Sequence, residues 1–337
     1  MRRLTNLDAD LGLRFLHRSR PRYTSNHRSQ NAITAPTKVR AIDTERRSPR
    51  YSGIDLWQPS DILEAMIEGQ FAAVDAVRAA RPAIERAALA MEKRLAEQGR
   101  LIYAGAGTSG RLAIQDGAEL MPTFSWPKDR LVLLMAGGDR ALIQAVEGAE
   151  DDVKHAQALI KKHKVTKHDV LIAVAASGTT PFTLACLRSV KRERALTIGI
   201  ANNPGTPILQ EADHAIFLET GAEPIAGSTR MNAGTAQRIT LTLLSSLLMI
   251  RLGRVYDGMM VDVQATNKKL AQRSQAMLMH LTGKNEKSVR AALKQANGNV
   301  KLAVLMLKGC TLKQAKSALA RSKGQLRTAI ARLQKDS

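Results

Sequence analysis

At 337 residues and 44% hydrophobic content, the chain is long enough for a sizeable core and more than one domain. The longest apolar run, Ile239 to Ile250, is too short for a bilayer, so a membrane span is excluded and a buried helix is expected. The formal charge of +21 sits at the two ends. Residues 1–50 hold 12 Lys/Arg against 4 Asp/Glu, residues 267–337 hold 16 against 2, and residues 51–266 hold 23 against 24. A nucleic-acid surface would have to use those ends, and the 3% aromatic content argues against base stacking.

Residues 1–43 scatter Arg, Ser, Asn and Pro without period and read as a disordered basic extension. Arg2 and Arg3 lack an apolar segment behind them, so no signal peptide is expected. Asp8 and Asp10 oppose a mitochondrial presequence, and a start codon placed too far upstream is the competing explanation. Ser60 is expected to cap a helix carrying Ile62, Met66, Phe71, Val74 and Val77, and a second helix runs from Ala83 to Gln98 and ends at Gly99. Beyond that preface, strands and helices alternate. Strands are expected at Leu101–Tyr103, Leu131–Met135, Val170–Ala175, Leu196–Ile200 and Ala215–Leu218. Between them lie helices from Gly110 until Pro122 stops the pattern, from Arg140 to His163, and through Arg192. That order predicts an α/β fold, a mostly parallel sheet flanked by helices, with ligands beyond the carboxyl ends of the strands. Past Asn267 the composition turns to Ala, Leu and Lys, and Val289–Leu307 aligns without gaps on Ala315–Leu333. Each copy reads helix, Gly turn, helix, so 281–337 is expected to form a small C-terminal all-α domain after a main domain of 44–280.

Two loops carry the chemistry. Gly105-Ala-Gly107-Thr-Ser-Gly110 joins a strand to a helix N-terminus, where glycines admit a phosphate and free N–H groups point at it. Its match to GxGxxG is weak evidence for a dinucleotide, and Arg111-Leu112 replaces the Lys-Ser/Thr that ATP hydrolysis requires. Ser177-Gly-Thr-Thr180 has the same chemistry at another strand end, and one site fed by two such loops suits a phosphosugar better than a bare turn. The first helix also carries two acids, Asp116 and Glu119. By spacing alone Glu147, Glu150, Asp151 and Asp152 read as a solvated helix face. Cys186 and Cys310 have no CxxC or Cys/His spacing, the seven histidines form no triad or ligand pattern, and GxSxG and HExxH are absent from the sequence.

From about Thr44 onward the chain resembles the N-acetylmuramic acid 6-phosphate etherase family, of the sugar-isomerase (SIS) fold, and more distantly glucokinase regulatory protein. The matching segments are Thr44-Glu45-Arg46, Ile102–Leu112, Glu119 with Pro122-Thr123, Ala136-Gly-Gly138, Ala145–Asp151, Ala175–Pro181, Asn203-Pro-Gly205, Gly227–Gln237 and Met260–Asn267. The terminal repeat is similar to the ubiquitin-associated-like helical domain of these enzymes, so its charge is expected to be a family trait rather than a nucleic-acid site. The resemblance implies a flavodoxin-like SIS sheet and a cytoplasmic homodimer acting in peptidoglycan recycling, with no cofactor, metal, nucleic acid or membrane partner. The implied reaction is cleavage of the D-lactyl ether of N-acetylmuramic acid 6-phosphate to N-acetylglucosamine 6-phosphate and D-lactate. Glu119 matches the family's acid/base residue and Glu150 its second catalytic carboxylate. Gly107, Thr108, Ser109, Ser177, Gly178, Thr179 and Thr180 match its phosphate and sugar contacts. Departures are Arg47-Ser48 after the Thr-Glu-Arg segment, Leu120-Met121 before Pro122-Thr123, and Asn232 where Lys is frequent. The rival reading is a regulator that binds a sugar phosphate without turnover, but such a sensor needs only the loops, and both carboxylates are present. Gly110 and Glu119 are nine residues apart, about 14 Å on an unbroken helix. One hexose phosphate does not span that, so the helix either bends near Gly117 or Glu119 serves a sugar held by a partner subunit.

Overall fold

The computed structural model describes residues 42–263 and 268–335. The basic extension therefore lies outside the described residues, except for Ile42 and Asp43, and so do the last four residues of the Met260–Asn267 segment. Asp43 opens a 3-10 turn, Asp43–Glu45.

Five short apolar runs make one parallel sheet. The strands are β1 (Leu101–Gly105), β2 (Leu131–Met135), β3 (Val170–Val174), β4 (Leu196–Ala201) and β5 (His214–Phe217), in the order β2-β1-β3-β4-β5. Every residue of β1, β3 and β4 is buried, as strands covered on both faces require. Alternate residues feed two cores. Leu101, Tyr103, Ile172 and Ile198 pack with helices α1 (Pro59–Leu95), α2 (Gly107–Phe124) and α6 (Asn232–Arg251). Ile102, Ala104, Leu171 and Ala173 pack with α3 (Val153–Lys162), α4 (Pro181–Arg192) and α5 (Pro207–Glu211). The order places β1 and β3 side by side while their connections leave in opposite directions, which opens a crevice at their carboxyl ends.

The helices depart from expectation in four places. The two-helix preface is one helix, α1, of 37 residues. It passes Pro82, which lies on its exposed side, while Ala73, Val77, Ala80, Ile84, Ala87 and Met91 form one continuous buried stripe. That burial outweighs the cost of an interior proline, about 3 kcal/mol. Pro59 occupies the first helical position and no side chain caps the helix, so Ser60 is not the cap. Helix α2 likewise continues through Pro122 to Phe124 and stops at Ser125, which is left-handed at φ 51°. It runs unbroken past Gly117, whose place is explained by packing: a Cβ there would lie 2.6 Å from Leu133 Cδ2.

The fourth departure has a functional consequence. Only Val153–Lys162 of the expected Arg140–His163 helix forms; two 3-10 turns, Asp139–Leu142 and Ala149–Asp151, precede it. Gly148 is left-handed at φ 68°, and Asp152 caps α3 by accepting the N–H of His155. The acid-rich segment is therefore a connection at the sheet's carboxyl end.

After a two-stranded ribbon, β6 (Val255–Tyr256) with β7 (Met259–Met260), five helices follow: α7 (Lys268–Thr282), α8 (Glu286–Gln295), α9 (Val300–Leu307), α10 (Leu312–Arg321) and α11 (Leu326–Lys335). The sequence repeat is a structural repeat, with Asn297-Gly298 and Lys323-Gly324 both left-handed between their helices. The core of this region joins Val261 and Val263 to Met277, Leu278, Val289, Val304 and Ile330. Among the described residues, no helix is long and apolar enough to cross a membrane.

Candidate active site

Gly105 at the end of β1 pairs with Val174 at the end of β3, so the loops that follow start as neighbours. After Gly105 the chain turns back on itself: Ala106 is extended, Gly107 is left-handed at φ 53°, and α2 begins. A Cβ on Gly110 would lie 2.6 Å from the carbonyl carbon of Gly105, so the helix can start this close to the strand only without side chains. The N–H of Gly110 returns to the Ala106 carbonyl at 2.9 Å, which leaves the N–H groups of Gly107, Thr108 and Ser109 without intrahelical acceptors. Ser109 is buried beside them.

The second loop is braced internally. Ser177 Oγ accepts the Thr179 N–H at 3.2 Å and lies 3.3 Å from Thr180 Oγ1, while the Gly178 N–H donates to the Ala175 carbonyl at 3.0 Å. Gly178 is left-handed at φ 70° and abuts Thr206 of the β4–α5 connection. Thr180 precedes α4, whose first residue is Pro181, so a second helix N-terminus opens at the same sheet end. A third, that of α6, comes alongside: Cβ on Gly234 would sit 3.6 Å from Thr108 Cγ2. Free N–H groups, hydroxyls and converging positive dipole ends are together the chemistry that suits a phosphate group.

A carboxylate reaches the same spot. Glu150, in the turn Ala149–Asp151, brings Oε1 to 2.8 Å from where a Cβ on Gly107 would be. Arg111 stands where an ATP-hydrolysing loop has its lysine. Here it braces the connection that carries Glu150, donating through Nε to the Ala141 carbonyl at 2.9 Å and through Nη2 to that of Gln144 at 3.3 Å.

Residues 83–191 match the glucokinase regulatory protein N-terminal SIS domain, and residues 144–249 match the SIS domain family. The chain is 50% identical over 265 residues to the N-acetylmuramic acid 6-phosphate etherase of Deinococcus radiodurans, which is 79% of this chain and 87% of that one. It is 40% identical over 290 residues to the enzyme of that name from Halalkalibacterium halodurans, 86% and 97% of the two chains. The chain belongs to the N-acetylmuramic acid 6-phosphate etherase family. Among solved structures, a phosphoheptose isomerase from Francisella tularensis is 20% identical, with a TM-score of 0.44 over 58% of this chain and 98% of that one; so remote a likeness says nothing of the site.

The etherase-family motifs meet at this end of the sheet. Asn203, beyond β4, donates through Nδ2 to Thr44 Oγ1 at 3.0 Å and to the Ala176 carbonyl at 2.8 Å. The Gly227 N–H donates to the Thr44 carbonyl at 2.9 Å, and a Cβ on Gly227 would lie 2.6 Å from Glu45 Oε2. The Thr44-Glu45-Arg46 segment is thereby tied to the loops although it is far away in sequence. Two supporting residues had no sequence signal. Thr206 backs Gly178, and Glu223, 1% exposed, accepts the N–H groups of Asn232 and Ala233 at 2.8 and 2.9 Å and so fixes the start of α6. Burial raises the Glu223 carboxyl, against those two hydrogen bonds, which pull it down.

Glu119 is not brought to the loops. It lies twelve residues along the unbroken α2 from Gly107, about 18 Å, and is exposed. Its neighbour Asp116 is buried, accepting from Tyr103 Oη at 2.8 Å and Ser245 Oγ at 3.1 Å, and burial raises its carboxyl above the ordinary value. Asp116 thus ties α2 to β1 and α6, while Glu119 stands near the other end of α2 from the glycine loop of its own chain.

Proposed function

We propose that this chain is a carbon–oxygen lyase that removes D-lactate from N-acetylmuramic acid 6-phosphate, acting in the cytoplasm as a homodimer whose sites are shared between subunits. The observation that carries the reading is the convergence of the Gly107–Ser109 loop, the Ser177–Thr180 loop and Glu150 at the crevice between β1 and β3. Phosphate binds to the free N–H groups and hydroxyls of the two loops. With the sugar ring open, C1 is an aldehyde and the C2 proton is acidic. One carboxylate takes that proton, the C3–O bond breaks as the lactyl oxygen receives a proton from a carboxyl group, and D-lactate leaves. Water then adds to C3 of the unsaturated aldehyde, giving N-acetylglucosamine 6-phosphate.

Glu150 supplies one carboxyl group from the subunit that holds the phosphate, and Glu119 of a second copy supplies the other. Two observations support that division. A straight α2 separates Glu119 from its own loops, and α1, in the same helical layer, exposes Leu63 (60%), Ile67 (47%), Phe71 (67%) and Val74 (45%) in one stripe. Such a stripe of large apolar side chains on a helix is suited to a second copy. The deciding assay incubates the chain with N-acetylmuramic acid 6-phosphate and measures D-lactate beside a Glu119→Ala variant. Binding of the sugar phosphate without lactate release would leave a regulator and end the enzymatic reading.

A further inference from the structure

A second cavity lies away from the loops, between the C-terminal part of α1 and the α10–α11 turn. Its volume is about 1150 Å³, roomy enough for a small ligand. Eight Lys/Arg side chains line it against three acids, Glu92, Glu97 and Asp262, an excess of five positive charges. Glu92 is taken by Arg251 at 2.8 Å. Asp262 is shared by Lys301 at 2.7 Å and Arg254 at 3.6 Å. The remaining excess stands around the rim: Lys93 on α1 and Arg321, Lys323 and Arg332 on the opposite wall have exposed side chains with no acidic partner among the described residues.

The cavity floor is also unbalanced. Arg130 and Arg254 both lie against the ring of buried Trp126, at 4.6 and 5.2 Å, and Lys301 is 5% exposed behind a single carboxylate. Lys301 Nζ has two acceptors, Asp262 Oδ2 and the Gly324 carbonyl, for three N–H donors. Burial lowers the Lys301 ammonium and the Arg130 guanidinium, and the charge of Arg254 lowers both further. Independently, Ser322 in the wall is 5% exposed, and its hydroxyl has no hydrogen-bond partner among the described residues. Crowded cations, four of them exposed at the rim, and a buried ammonium with more donors than acceptors suit an anion.

We propose that this cavity is a second ligand site, distinct from the sugar-phosphate loops, that takes a small polyanion carrying two or more phosphate groups. One phosphate neutralises less than half of the excess, whereas a chain of phosphates carries enough charge to meet cations on both walls. Trp126 is too buried to stack a base, so nucleic acid is the poorer fit. Because α1 and Trp126 form one wall and the C-terminal helices the other, the ligand ties the helical repeat to the sheet domain.

The test is calorimetric titration of the full chain with inorganic tripolyphosphate at constant ionic strength. Three proteins are compared: wild type, a rim variant (Arg321→Glu, Lys323→Glu, Arg332→Glu) and a loop variant (Ser109→Ala, Ser177→Ala). The rim side chains are exposed, and an unchanged circular dichroism spectrum shows that the variant folds. The site predicts that the rim variant binds at least tenfold more weakly while the loop variant binds like wild type. It also predicts that tripolyphosphate raises the unfolding temperature of wild type more than orthophosphate does. Equal binding by wild type and rim variant, or loss of binding in the loop variant, would overturn the proposal. So would a short DNA duplex that outcompetes tripolyphosphate and depends on the same rim charges.

Discussion

The two ends of the sheet are built to opposite rules. At the amino end a largely buried ion pair spends its donors inside the protein: Arg100 gives Nε and Nη2 to the Asp169 carboxylate at 3.1 and 2.7 Å and Nη1 to the His163 carbonyl at 2.9 Å. Asp169 also accepts the N–H groups of Arg100 and Thr166 at 2.9 and 2.8 Å, and Arg130 closes the end of α1 through the carbonyls of Leu95 and Gly99. At the carboxyl end, the N–H groups of Gly107, Thr108 and Ser109 are left unspent beside Glu150. The first end holds the sheet together, and the second leaves donors free for a ligand. Substitutions at the two ends should therefore separate activity from stability.

The largest effect is expected at Glu119, which belongs to neither end of its own site. Glu119→Ala should lower lactate release by about 10²–10⁴, the usual worth of a general acid or base. If the partner supplies Glu119, mixing equal amounts of Glu119→Ala and Ser177→Ala protein with subunit exchange restores about a quarter of wild-type activity. Half of the dimers are then mixed, and each has one intact site. No recovery would return Glu119 to its own subunit. Phe71→Arg, in the exposed stripe of α1, should shift the chain to monomer in size-exclusion chromatography and remove activity with it, while the far-ultraviolet circular dichroism of the monomer stays unchanged.

At the carboxyl end, Gly107→Ala places a methyl group 2.8 Å from Glu150 Oε1 in a left-handed backbone. The turn costs about 1–2 kcal/mol for a residue with a Cβ, and the carboxylate must move. Activity should fall roughly tenfold or more, with only the turn's cost appearing in a urea titration. A variant that kept full activity would show that Glu150 need not stand at this loop.

The sheet and the two loops were legible because their signals are local. Continuous apolar runs mark strands buried on both faces, and the Gly/Ser/Thr turns sit at their ends. The seat of Glu150 was not legible. Residues 140–163 carry a helical pattern, and only the left-handed Gly148 and the Asp152 cap show that the segment breaks before it. Nor did Pro122 report the end of its helix correctly, because it falls within the last turn, and the preface reads as two helices where one buried stripe holds a single helix together. The clamp of Asn203 on Thr44 spans 159 residues and has no local trace.

The smallest effect on activity is expected at the amino end, and it carries the sharpest contrast. Burial alone would raise the Asp169 carboxyl, but the Arg100 guanidinium and the N–H groups of Thr166 and Arg100 outweigh it and hold the carboxyl below its ordinary value. A carboxyl depressed on folding adds stability above its unfolded value of about 3.9, and that stability is lost as pH falls through the folded value. Asp169→Asn should therefore cost about 1–3 kcal/mol in urea unfolding at pH 7, and the gap to wild type should narrow as the pH is taken below about 4. Lactate release per folded molecule at pH 7 should be unchanged, since Asp169 lies at the far end of the strands from both loops. A gap that stayed constant down to pH 2.5 would mean that the ion pair is not its source. A fall in activity without loss of stability would mean that the two ends are not independent.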